Sequence, residues 1–128
     1  MNESNNEKII KLSYFDFEKN IKEEIQFSSS LIKEEFEESS LYVIKIKGES
    51  MQDLIMNDSL IVSSLKIGEI KHNSIYIIEH NKDIWIKRAK ITDSKKIFVS
   101  INKKYLHLEY KLEEVRIISK ALLTFTNL

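Results

Sequence analysis

Leu41-Tyr42-Val43-Ile44-Lys45-Ile46-Lys47-Gly48-Glu49-Ser50-Met51 is the stretch on which the fold of this chain turns. Tyr42, Ile44 and Ile46 fall at every second position with Lys45 and Lys47 on the other side, the period of a strand with one face on a core and one in water. Gly48 ends the run. It admits backbone angles closed to residues with a Cβ, so the chain can turn sharply and present Ser50 on a fixed scaffold. A serine hydroxyl is a weak nucleophile until a base takes its proton. Alone, a serine closely following a glycine describes a turn as readily as a nucleophile.

A candidate base lies in a second alternating run, Ile84-Trp85-Ile86-Lys87-Arg88-Ala89, where Trp85, Lys87 and Ala89 share a face. An ammonium in apolar surroundings is disfavoured by desolvation, which lowers its pKa towards the range of a general base. Ser50 and Lys87 thus form a candidate nucleophile and base pair.

Around these two runs the chain divides at residue 40. Residues 1–40 are rich in Glu, Lys, Asn and Ser, with apolar clusters at Ile9-Ile10, Tyr14-Phe15-Phe17 and Leu31-Ile32. They read as an N-terminal arm packing on the core at a few anchor points, with a short strand near Leu12 to Phe17. Ile21 and Ile25, like Ile32 and Phe36, have helical spacing, and each pair is too small to decide between a brief helix and an extended loop. Residues 41–128 form the core domain, with further strands predicted over 59–62, 75–80, 84–90, 96–101 and 115–125. Asn81-Lys82-Asp83 is the tight turn of the clearest hairpin.

At 128 residues, 42% hydrophobic and 31% charged, the chain fits one globular unit with a real core. Twenty basic and twenty acidic side chains cancel, so no net field draws it to nucleic acid or anionic membrane. With no cysteine there is no disulfide framework, thiolate nucleophile or cysteine-ligated metal, which suits a cytoplasm. No apolar run approaches a membrane span and the polar start does not resemble a signal peptide, so the chain reads as soluble and cytoplasmic. His72, His80 and His107 lack metal-ligand spacing and read as surface or hydrogen-bonding residues; no metal and no cofactor is expected.

Short blocks in fixed order add a resemblance. Residues 43–61, Val-Ile-Lys-Ile-Lys-Gly-Glu-Ser-Met-Gln-Asp-Leu-Ile-Met-Asn-Asp-Ser-Leu-Ile, resemble the catalytic-serine region of the LexA-like family, which comprises LexA, phage repressors and the UmuD mutagenesis proteins. Asp53 stands where the family usually has Pro, and Asn57 where it has Gly. Ile70 to Ile78 looks like its Gly-Asp-Ile-Tyr strand, with Asn73-Ser74 for Gly-Asp. Trp85-Ile86-Lys87-Arg88 resembles the segment holding its catalytic lysine, Ser100-Ile101-Asn102-Lys103-Lys104-Tyr105 its Ser-x-Asn-x-x-Tyr block, and Val115 to Ala121 its final strand.

The resemblance implies a mainly β, signal-peptidase-like fold of strongly bent antiparallel sheets. It implies a serine endopeptidase with Ser50 as nucleophile and Lys87 as base, and the backbone N–H groups of Glu49, Ser50 and Met51 are the candidates for an oxyanion hole. The function it implies is the dimerising regulatory domain of a phage-type or LexA-like transcriptional repressor; the alternative is a UmuD-like partner of an error-prone polymerase. The partners implied are a second copy of the chain and a RecA filament. DNA is expected to be reached only through a helix-turn-helix domain not found in this chain, and no membrane is expected. Family members usually cut themselves at Ala-Gly or Cys-Gly in the arm. Here the segment Glu18 to Phe27 holds neither pair, so self-cleavage is not expected.

Overall fold

The computed structural model describes residues 8–46, 58–100, 102, 104 and 108–126. The chain is mainly β, in two antiparallel sheets. A two-stranded sheet pairs β1 (Ile9–Asp16) with β2 (Ile21–Ser28). The larger sheet has the order β3-β4-β9-β5-β6-β7-β8, formed by β3 (Leu41–Lys45), β4 (Leu60–Ser64), β5 (Ile75–His80), β6 (Asp83–Ile91), β7 (Lys96–Val99), β8 (Tyr110–Lys111) and β9 (Arg116–Phe125). Register shifts at Val62/Ser63 and Ile77/Ile78 place bulges on both ladders of β9, where extra residues bend and twist the strands.

The hairpin of β5 and β6 follows the sequence closely. Asn81 and Lys82 both take positive φ (51° and 72°), the two-residue turn whose twist matches that of paired strands, and His80 pairs with Asp83 to close it. Asp58 and Asn73 also take positive φ at their turns, a conformation that Asn and Asp tolerate better than other residues with a side chain.

The arm differs from the expectation of a single short strand. Ile21 and Ile25, left open between helix and loop, lie in β2, which pairs along its whole length with β1. Period 2 accounts for it: Ile10, Leu12 and Tyr14 on β1 and Ile25 and Phe27 on β2 turn inward, in register, onto a cluster with Ile32, Leu41, Val43 and Val62. Each fully buried aliphatic or aromatic side chain there contributes about 1.5–3 kcal/mol. Phe27 also meets Phe125 at 5.6 Å between ring centroids.

β3 is correspondingly not half-buried. Tyr42, Ile44 and Ile46 face the cluster of Ile61, Ile77 and Ile86 as the alternation predicts. Leu41 and Val43, on the opposite face, are buried beneath the hairpin. Lys45 on that face meets Asp16, the last inward residue of β1, at 3.0 Å. Asp16 is 2% exposed, and its Oδ1 accepts the N–H groups of Glu18 and Lys19, closing the hairpin turn. The ammonium of Lys45 foremost, then the backbone donor, hold its carboxyl below the usual range. β9 lies between β4 and β5, and its apolar side chains are distributed among the three buried clusters of the described residues.

Candidate functional site

Lys87 sits at the middle of β6, where register pairs it with Tyr76 on β5. Tyr76 in turn pairs with Lys120 on β9, and Lys120 with Ser64 on β4. Ser64, Lys120, Tyr76 and Lys87 thus form a polar row across four adjacent strands, and all four are buried. Alternation along each strand puts them on the face that also carries Ile78, Ala89 and Phe98.

The two lysines of this row are held differently. Lys120 has a counter-ion, the Glu34 carboxylate at 2.6 Å. Lys87 is 0% exposed. Its Nζ donates to the backbone carbonyl of Leu108 at 3.0 Å and stands 4.9 Å from the Trp85 ring centroid and 5.6 Å from that of Tyr110. Burial alone pushes its pKa down from 10.5 to about 8, because the charged form loses its water and gains no anion among the described residues. The expectation that Trp85, Lys87 and Ala89 share an apolar face, and that this face lowers the basicity of the amine, is met by the structure.

Tyr110 completes the aromatic lining. It stacks on His80 at 4.1 Å and tilts against Trp85 at 6.4 Å. Burial, then the nearby Asp83 carboxylate, raises its own pKa. The Tyr76 hydroxyl is occupied by the Lys71 N–H at 2.9 Å. The indole Nε1 of Trp85 is buried and has no hydrogen-bond partner among the described residues.

Ser50 lies outside the described residues, as do Gly48, the other expected oxyanion-hole residues Glu49 and Met51, and His107. The two ends of that segment are described. The Ile46 N–H donates to the Ser59 carbonyl and the Asp58 N–H to the Ile46 carbonyl, both at 2.8 Å, so residues 46 and 58 are clipped together at the end of β3. In the Ser-x-Asn-x-x-Tyr block, Ser100 and Asn102 are buried, and the Asn102 side chain accepts the Lys104 N–H at 3.0 Å. His72 accepts the Ile91 N–H on Nδ1 at 2.9 Å, and His80 is the ring under Tyr110.

Sequence reasoning missed Leu108 and Tyr110. β8 is two residues long, too short for any period, and a backbone carbonyl carries no signal in the side-chain pattern. No helix among the described residues is long and apolar enough to cross a membrane. The model of the Peptidase S24-like family matches residues 13–122, a span that takes in most of the β1–β2 hairpin, all of β3 to β8 and most of β9. No curated protein matches the chain significantly.

Proposed function

The chain belongs to the Peptidase S24-like family, and from that premise we propose that it is the peptidase-fold regulatory domain of a phage-type or LexA-like repressor, with Ser50 as nucleophile and Lys87 as general base. The observation that carries this reading is the buried Lys87 amine, with no counter-ion among the described residues and a pKa of about 8. In the reaction, the neutral amine takes the proton of the Ser50 hydroxyl as its oxygen bonds to the carbonyl carbon of a peptide. Backbone N–H groups of Glu49, Ser50 and Met51 stabilise the oxyanion. The C–N bond then breaks, the Lys87 ammonium returns the proton to the departing amine, and water releases the acyl group from Ser50.

The chain's own arm is a poor substrate for this step. Glu18 to Phe27 lacks Ala-Gly and Cys-Gly, and residues 21–27 lie in a ladder fully paired with β1. A paired strand must leave its sheet before its backbone can bend into a cleft.

The test is to incubate the purified chain at neutral and alkaline pH, alone and with an added Ala-Gly peptide, beside Ser50→Ala and Lys87→Ala, and to weigh the products. Expected are an intact chain and a peptide cut by the parent protein only. Cutting within residues 18–27 that both substitutions abolish would overturn the resistant arm. A peptide left whole by the parent, or cut equally by both variants, would sink the dyad.

The reading includes a homodimer. Its support is the resemblance, together with apolar side chains left in water on the β1–β2 hairpin and its turn: Ile9, Phe15, Phe17 and Ile21. Sedimentation is expected to show a mass that rises with concentration towards twice that of the chain; a monomer at every concentration would rule the dimer out.

A further inference from the structure

Given the reading of Lys87 as the base, its immediate surroundings specify how that base is restrained. An ammonium carries three N–H bonds, and among the described residues three acceptors stand around Nζ: the Leu108 carbonyl at 3.0 Å, the Trp85 ring at 4.9 Å and the Tyr110 ring at 5.6 Å. The face of an aromatic ring is negative, so it attracts the ammonium and does little for the neutral amine. The same two rings also exclude water, which favours the neutral amine. Burial prevails in direction, yet a midpoint of about 8 still leaves most of the amine protonated at neutral pH.

Among the described residues, the other titratable groups facing this point are few. From β5 come Tyr76, bonded to the Lys71 N–H, and His80, which stacks on Tyr110. From β9 comes Lys120, tied to Glu34 beyond Tyr76. Asp83, at the start of β6, acts on Tyr110. None of these is a carboxylate in contact with Lys87, so the rings and one carbonyl are what meets its charge among the described residues.

We propose that Trp85 and Tyr110 are positioning residues that clasp Lys87 in its ammonium form and so hold the base in reserve near neutral pH. The rings act through their negative faces, beyond their bulk. An event that swings either ring away while keeping water out frees the amine to accept a proton.

Trp85 is the only tryptophan in the chain, so growth on fluorinated tryptophans weakens the face of this one ring with little change of shape. The midpoint of Lys87 is read by NMR from its ε-carbon, assigned by the signal that Lys87→Met removes. Progressive fluorination is expected to lower that midpoint by about half a pH unit in all, raising the neutral fraction at pH 7 about threefold. Tyr110→Leu is expected to move it the same way, and Tyr110→Phe, which keeps the ring, to leave it in place. A midpoint that stays fixed or rises across the fluorinated series overturns the clasp. Labelling of Ser50 by a fluorophosphonate, followed in parallel, is expected to speed up at pH 7 by a similar factor. If Ser50 of the unsubstituted protein does not react at all, the peptidase reading fails, while the Lys87 midpoint still decides the clasp.

Discussion

Lys87→Met is expected to make the folded protein more stable at pH 7, by about 2 kcal/mol, while removing the base on which the proposed chemistry depends. The pKa of Lys87 falls from 10.5 to about 8 on folding. At about 1.4 kcal/mol per unit, that displacement costs the folded state about 3 kcal/mol whenever the amine is charged in both states. Methionine fills much the same space as the lysine stem without a charge to desolvate. It also leaves the Leu108 carbonyl without its donor, which gives back about 1 kcal/mol. The sign changes with pH. Below about pH 8 both folded and unfolded chains carry the proton, and the folded one bears the full penalty. Between about 8 and 10.5 the unfolded chain binds more protons than the folded one, so the stability of the parent protein rises with pH. Above 10.5 both forms are neutral, the penalty is gone, and the lysine protein is expected to be the more stable by its one hydrogen bond. Urea unfolding of both proteins from pH 7 to 11 measures this crossing. A variant less stable than the parent at pH 7 would mean that the ammonium is well solvated in the folded state.

The parts of the fold that sequence made legible are those where local chemistry and tertiary packing agree. The β5–β6 hairpin is one: alternation on both sides of Asn81-Lys82 names the strands, the turn residues tolerate positive φ, and the same alternation brings Trp85 onto the face of Lys87. β2 is the opposite case. Its inward positions are Glu23, Ile25 and Phe27, and Ile21 with Ile25 imitates one turn of a helix. Its extended state follows from pairing with β1, which no window of sequence contains. Lys45 looked like a solvent-facing residue, because its partner Asp16 comes from a hairpin 29 residues earlier in the chain. A similar limit applies to the site. Lys87 was readable from its own strand. The groups that set its character, Tyr110 and the Leu108 carbonyl, come from a segment with too little periodicity to announce itself. Ser50, expected from the preceding glycine and the ordered blocks around it, lies outside the described residues.

The rate of the Ser50-dependent reaction is expected to rise about tenfold per pH unit up to about pH 8 and then level off. Only the neutral amine can accept the serine proton, and its fraction grows tenfold per unit below the midpoint and saturates above it. Replacing Lys87 by methionine is expected to lower the plateau by about 10²–10⁴-fold, the usual contribution of a positioned general base. What remains in the variant would be driven by hydroxide from solution, so its small rate should keep climbing with pH and show no plateau near 8. The contrast in shape, more than the loss itself, identifies the lysine as the base, since a merely misfolded site would be slow with an unchanged profile. Acylation of Ser50 by a fluorophosphonate, followed by mass from pH 6 to 10, measures both curves without requiring a peptide substrate to be known. The midpoint of the rate must also coincide with the lower bend in the stability of the parent protein, because both record the same proton leaving the same buried amine. Midpoints a full unit apart would show that the group controlling the reaction is some residue other than Lys87.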